Sequence, residues 1–148
     1  MNQTRRQRIL ALTPCDRLEA AWARLAIATD HRCIRGPQTG MAMVRGRMGG
    51  TGNAFNLGEM TLSRVSVVLK DGTPGGGSLG HGWVSGRNHR HAELIAIADA
   101  CSRCPEWAER IENDLVAPLE AALTTERESR SRTAAATRVD FFTLVRSE

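Results

Sequence analysis

The chain has 148 residues, with 20 Lys and Arg against 16 Asp and Glu, a net charge of +4, three Trp, three Phe and no Tyr. This is about one domain's length, enough for a single core. Lys70 is the only lysine, so the basic surface is guanidinium, which suits bidentate contacts with carboxylate and phosphate; arginines dispersed among acids, with few aromatics, argue against a nucleic-acid surface.

Arg5, Arg6 and Arg8 precede an apolar run, Ile9 to Pro14, that is too short for a signal core or a membrane span, and the protein is expected to be cytoplasmic. The four cysteines, Cys15, Cys33, Cys101 and Cys104, are accordingly expected as free thiols. Thr13 can cap a helix that starts at Pro14, with Asp16 in its first turn and Leu18, Ala21, Trp22 and Leu25 on one apolar face.

A short strand from His31 to Arg35 is expected to break at Gly36-Pro37. Thr39 to Met48 reads as the next strand, with Ala42, Val44 and Gly46 on one side and Met41, Met43, Arg45 and Arg47 on the other. It runs into Arg47-Met48-Gly49-Gly50-Thr51-Gly52, a turn or loop between strands whose glycines leave backbone N–H groups uncovered. With Arg45, Arg47 and Arg64 around it, the loop suits phosphate or phosphonate. The competing reading is a glycine hairpin whose arginines are solvated or meet a partner subunit. No Gly-Lys-Ser/Thr follows, so it is not a Walker A loop.

Leu57 to Leu69 alternates as a long strand, with Val65, Val67 and Leu69 on one face and Leu62, Arg64, Ser66 and Val68 on the other. Asp71-Gly72 signals a turn, residues 73–78 a flexible surface loop, and the strand pattern resumes near Leu79 and ends by Gly86. Strand, turn, strand in succession predicts an antiparallel meander. Asn88 can cap a helix to about Cys104 with Leu94, Ile95, Ala98 and Cys101 on one side, and Pro105 closes it or opens the next. Trp107, Ile111 and Leu115 continue a helical face, Pro118 interrupts it, and Leu119, Ala122 and Leu123 resume it. Residues 124–138 read as an exposed helical or polar segment. Residues 139–145, holding Phe141 and Phe142, are β-prone and expected to pair with a sheet edge or a partner. The fold class expected is α+β: one domain, residues 1–148, with an antiparallel meander and helices at both ends.

Two constellations look like metal or redox sites and fail on geometry. His89 and His91 lie some ten residues or more from Cys101 and Cys104 on one helix, roughly 15 Å at the helical rise, so one zinc ion cannot take both pairs. The two cysteines sit at a helix C-terminus, where the dipole disfavours a thiolate. His91 and Glu93 point nearly oppositely on a helix, and no Ser/His/Asp set is legible. His81 and His91 remain as single candidates for proton transfer or for structural hydrogen bonds.

The ordered set Arg47 to Gly52, Phe55, Leu57 to Arg64, Asp71-Gly72, Trp83 to Arg87, His91 to Glu93, Ala117 to Leu119 and Arg138 to Val145 resembles PhnG, a subunit family of the bacterial carbon–phosphorus lyase system, over nearly all of the chain. The resemblance implies organic phosphonate catabolism, in a core complex with PhnH, PhnI and PhnJ that works with ABC-type ATPase subunits. The early reaction joins an alkylphosphonate to the ribose of ATP and releases adenine, giving α-D-ribose 1-alkylphosphonate 5-triphosphate. Nucleosidase chemistry is attributed to PhnI and radical iron–sulfur chemistry to PhnJ; PhnG is required, with no chemical step firmly its own.

The expectation is therefore a subunit of a transferase complex that is inactive alone and binds no cofactor or metal itself, while the complex uses ATP with Mg. Residues expected at an anion-binding or interface site are Arg47, Gly49, Gly50, Thr51, Gly52, Arg64, Arg87 and His91, with Trp83, Phe141 and Phe142 as interface anchors and no catalytic residue. Self-association is a further expectation; nucleic acid and membrane are not expected partners. Two other readings stand beside it: that Arg47, the Gly49 to Gly52 amides and His91 carry part of the transferase site, or that the chain is a stand-alone arginine-rich nucleotide binder. The chain departs from the family's usual pattern in the glycine-rich stretch 73–82 and in Asn88-His89, where an Asp-Lys pair is common.

Overall fold

The computed structural model describes residues 2–47, 49 and 52–146, with side chains described through residue 137. The elements are α1 (Gln3–Leu12), α2 (Cys15–Leu25), β1 (His31–Arg47), β2 (Ala54–Leu69), β3 (Leu79–Ser85), α3 (His89–Ser102), α4 (Pro105–Arg110), a π-helical segment (Ile111–Val116) and α5 (Ala117–Arg146). The three strands form one antiparallel sheet in the order β1-β2-β3, the expected meander in an α+β fold.

The centre of the molecule is α3. It is apolar nearly all round, as a helix covered on every side must be: Ala92, Leu94, Ile95, Ala96, Ile97, Ala98, Ala100 and Cys101 are all buried. One side lies on the inner face of the sheet, where Val65, Val67, Leu69 and Val84 are buried; Ile9, Leu10, Leu18, Leu25, Trp107, Ile111 and Leu115 complete the core. Asn88 caps the helix, its Oδ1 accepting from the His91 backbone N–H at 3.0 Å.

The helix approaches β3 so closely that no side chain fits between them. A Cβ on Gly80 would lie 2.0 Å from the Ala96 carbonyl oxygen, and one on Gly82 would lie 2.0 Å from that of Ala92. These two glycines belong to a stretch that reads as surface loop and strand start, and contact with α3 is the physical reason for them. The loop before them is held by its own backbone: Gly77 N–H donates to Leu69 O at 2.8 Å and Ser78 N–H to Gly75 O at 3.0 Å.

As an edge strand, β3 presents unpaired backbone groups that must find partners. Asp99 of α3, fully buried, accepts from the His81 N–H at 3.0 Å, and Gln7 of α1 donates to the His81 carbonyl at 2.7 Å. Asp99 also pairs with the buried guanidinium of Arg6 and lies 3.4 Å from the Gln3 amide nitrogen. One carboxylate thus ties α1, α3 and β3 together.

Several expectations change. Residues 3–12 form a helix, α1, that the arginine-rich opening did not announce. Thr13 closes α1, its hydroxyl donating to Ile9 O at 2.8 Å, and does not cap α2. The two strands expected around Gly36-Pro37 are one strand, because register shifts between Cys33 and Arg35 and between Arg35 and Gln38 absorb the break. Pro118 does not interrupt the helix: a proline ring clashes with the carbonyl of a regular α-turn, and the wider π-turn just before it lets the rod from Pro105 to Arg146 continue. The segment 139–145, expected to be β-prone tail, is helical. No Gly or Pro follows Pro118, so a helix already nucleated extends at little cost and overrides local β-propensity.

The rod is fastened to the N-terminal helices by ions. Arg5 donates to Glu120 at 2.8 Å through Nε and to Glu112 at 2.6 Å through Nη1, Arg17 pairs with Glu126 at 2.8 Å, and Arg110 donates to Leu25 O at 2.5 Å. From 127 to 137, α5 is exposed on all sides.

Replacing Gly82 with Ala should destabilise the full chain by at least about 2 kcal/mol through overpacking against α3, whereas Gly40→Ala, with open space around it, should cost nothing comparable; urea unfolding midpoints decide between them. The hydrogen bonds from Arg5 hold the Glu120 carboxyl below its ordinary range. The Arg5 tie therefore contributes fully above the ordinary carboxylate range and is lost as pH falls through the lowered folded-state value. The stability difference between wild type and Arg5→Gln should be largest at neutral pH and shrink in acid, read from unfolding midpoints across pH.

Candidate functional site: the outer sheet face and the hairpin arm

With the inner face of the sheet buried on α3, strand alternation turns the other set of side chains outward. On β3, Leu79, His81, Trp83 and Ser85 are exposed; on β2, the outward set is Leu62, Arg64, Ser66 and Val68. The register places Arg64 opposite Trp83 on one side and Gln38 on the other, and Ser66 between His81 and Arg35. The Arg64 guanidinium carbon lies 5.5 Å from the Trp83 ring centroid, a cation–π contact. Its Nε donates to Gln38 Oε1 at 2.9 Å, which fixes the guanidinium in place. A cleft of about 400 Å³ opens here, lined by Gln3, Gln7, Arg35, Arg64, Val65, Ser66, His81 and Trp83. A second, of about 530 Å³, adjoins it along Gln38 to Met41, Leu62, Arg64 and Trp83.

Two guanidinium groups beside an indole face suit a planar or anionic group. Ser66 Oγ and His81 Nδ1 are 2.8 Å apart, the pairing of nucleophile and base. Among the described residues no carboxylate hydrogen-bonds the His81 ring, so the member that orients the base in a triad is missing.

The other half of the candidate surface is the distal part of the β1–β2 hairpin. Beyond the body, the two strands form a ribbon with only each other to pair with. Met41 is 60% exposed, Met43 50% and Leu57 61%, and Phe55 and Met60 are exposed as well. Met41 and Met43 pair with Thr61 and Glu59, while Ala42 pairs with Met60, so the ribbon carries apolar side chains on both faces. A two-stranded ribbon with two wet apolar faces is marginal by itself and belongs against another surface.

The structure divides the site residues expected from sequence. Arg64 and Trp83 meet on the outer face. Arg47 lies at the far end of the ribbon, paired with Ala54; the strand between Ala54 and Arg64 spans roughly 30 Å at the strand rise, so the glycine tip and Arg64 cannot hold one small ligand. Gly49 is at that tip with φ +60° and Gly52 in a bend after it, while Gly50 and Thr51 lie outside the described residues. Arg87 is exposed in the bend between β3 and α3. His91 is buried, its Nε2–H donating to the Leu10 carbonyl at 2.9 Å, a tie between α3 and α1. Phe141 and Phe142 are on α5, beyond the described side chains.

Sequence reasoning missed Arg35, Gln38, Ser66 and His81 as neighbours of Arg64. Alternation along β2 already put Ser66 and Arg64 on one face; two register shifts in β1 hid which of its residues join them. The four cysteines are free thiols, and burial pushes Cys101 up to about 12, so it carries no thiolate at neutral pH. Among the described residues no helix is long and apolar enough to cross a membrane.

The chain matches the family model described as "Phosphonate metabolism protein PhnG" over residues 2–147. It is 40% identical over 141 residues to the Alpha-D-ribose 1-methylphosphonate 5-triphosphate synthase subunit PhnG of Rhizobium meliloti (strain 1021), an alignment covering 95% of this chain and 86% of the relative. The ordered motifs, the α+β meander and this match along the whole length agree: the chain belongs to the PhnG family of phosphonate metabolism proteins.

Proposed function

We propose that this chain is a subunit of a complex that makes α-D-ribose 1-alkylphosphonate 5-triphosphate from ATP and an alkylphosphonate, releasing adenine, and that its own part is to dock and hold partner subunits. The relative's name, that of a subunit of a ribose 1-methylphosphonate 5-triphosphate synthase, supports the product and the subunit role. The observation that carries the docking role is the hairpin ribbon, long, paired only with itself and apolar on both faces. Such a ribbon fits a groove or the seam between two partners, where methionine side chains adapt to irregular surfaces. The partners in this reading are PhnI, PhnH and PhnJ, together with ABC-type ATPase subunits, in the cytoplasm. ATP with its Mg and the iron–sulfur chemistry belong to those other subunits.

A second reading, favoured by the Arg35, Arg64 and Trp83 cleft, gives the chain a share in binding an anionic group of the substrate. It does not use the glycine tip and His91 together, which the fold separates.

The double variant Met43→Asp, Leu57→Asp should keep wild-type circular dichroism and lose co-purification with co-expressed PhnI and PhnH; retention of both partners would remove the ribbon as the docking element. Purified alone, the chain should give no adenine from ATP and methylphosphonate, and turnover by the isolated chain would refute the subunit role. Arg64→Ala should leave assembly intact, and if the second reading holds, it lowers turnover by the assembled complex about tenfold or more.

A further inference from the structure

We propose that His31, Cys33 and Glu93 form a zinc-type metal site at the root of the hairpin, with a fourth position left for water or a partner's donor. The inference is independent of the docking role. His31 and Cys33 are two apart on β1 and so share a face, and α3 brings Glu93 up beside them. One donor atom from each, an imidazole nitrogen, the Cys33 sulfur and a carboxylate oxygen, all lie within 4.8 Å of one another. His31 Nε2 is 3.1 Å from Glu93 Oε1. Tetrahedral bonds of about 2.0–2.3 Å need ligand separations of roughly 3.3–3.8 Å, so closure asks for about 1 Å of movement. The exposed Cys33 side chain can supply it.

The local backbone is shaped at this point. The register of β1 shifts between Cys33 and Arg35, and such bulges re-aim a side chain. Sequence reasoning weighed zinc on His89, His91, Cys101 and Cys104; the fold instead joins His31 and Glu93, 62 positions apart across β1 and α3.

The donor set chooses the ion. Sulfur, imidazole nitrogen and one carboxylate favour zinc or cobalt over magnesium or calcium, which take oxygen shells. Burial and the charge of Glu93 push the Cys33 thiol up, so the metal must displace its proton. On binding, the Cys33 S–H proton leaves to solvent, and thiolate plus carboxylate balance the two charges of the ion. His31 offers Nε2 with its proton on Nδ1. Arg90, 3.5 Å from Glu93, also reaches Glu19 at 3.2 Å and can rest there when Glu93 turns to the metal. A plain His31–Glu93 ion pair with a bystander thiol makes none of these demands on Cys33.

Titration of the reduced full-length chain with Co²⁺ tests the site. A thiolate-to-cobalt charge-transfer band should grow in the near ultraviolet, saturate at one equivalent and bleach on adding Zn²⁺. Cys33→Ser should lack the band, and His31→Gln should bind at least about tenfold more weakly, both with unchanged far-ultraviolet circular dichroism. No band in the wild type, or a band undiminished in Cys33→Ser, overturns the site. At saturating Zn²⁺, Cys33 should resist N-ethylmaleimide by mass spectrometry, and full alkylation there would equally refute it.

Discussion

The buried carboxylate of Asp99 is the point on which three elements depend. It sits in a helix whose buried residues are otherwise apolar apart from His91, and its oxygens meet the Arg6 guanidinium and the amide of the edge strand. A buried charge of this kind is weak evidence for extra stability, since desolvating both ions offsets their attraction. Its effect is placement. With α1 bound to the far edge of β3 through Asp99 and Gln7, the helix layer can sit on only one face of the sheet and in one register. The two glycines of β3 then let α3 come close enough for Asp99 to reach. Everything on the outer face, Arg64, Trp83, His81 and Ser66, inherits its direction from that arrangement.

The body and the ribbon obey different physics. Inside the body, alternation along β2 gives a buried row and a wet row, and the buried row meets α3. Before Leu62, toward the hairpin tip, the same strand runs without a helix beneath it, and its apolar side chains are exposed. The arginines follow suit: Arg64 is held by Gln38 and Trp83, and Arg5, Arg6, Arg17 and Arg90 by carboxylates, while Arg45 and Arg47 are exposed on the ribbon. A chain that keeps such a ribbon exposes apolar surface, and the docking role proposed above would give that surface its cover.

Much of the fold was legible in the sequence because it rests on local rules. The period of β2, the Asp71-Gly72 turn, the Asn88 cap and Pro105 at a helix start each declare themselves within a few residues. What escaped depends on contacts between distant parts. Residues 3–12 read as an arginine-rich opening because the helix they form is anchored by Asp99, Glu112 and Glu120, all far along the chain. The strand break at Gly36-Pro37 vanished because bulges let one long strand pass through it. The tail around Phe141 kept the helical state of the rod before it, against its own β-prone composition. At the candidate site, Arg64 and Trp83 could be named from sequence and His81 only as a lone histidine, but their meeting with Arg35 and Ser66 could not, since that neighbourhood is a matter of register. His91 read as a candidate either for proton transfer or for a structural hydrogen bond, and only the approach of α1 shows that its ring belongs to the interior.

The two borders of the sheet are unequal, and this has a consequence for how copies of the chain can meet. Along β3 the His81 N–H and carbonyl are taken by side chains of α3 and α1; along β1, and along β2 from Ala54 to Thr61, no described strand or helix closes the border. Within the body, backbone pairing therefore has one free border, while the ribbon leaves one on each side. Pairing between the bodies of identical chains would stop at a two-fold pair, β1 against β1, and any longer run of chains would have to pass through the ribbon.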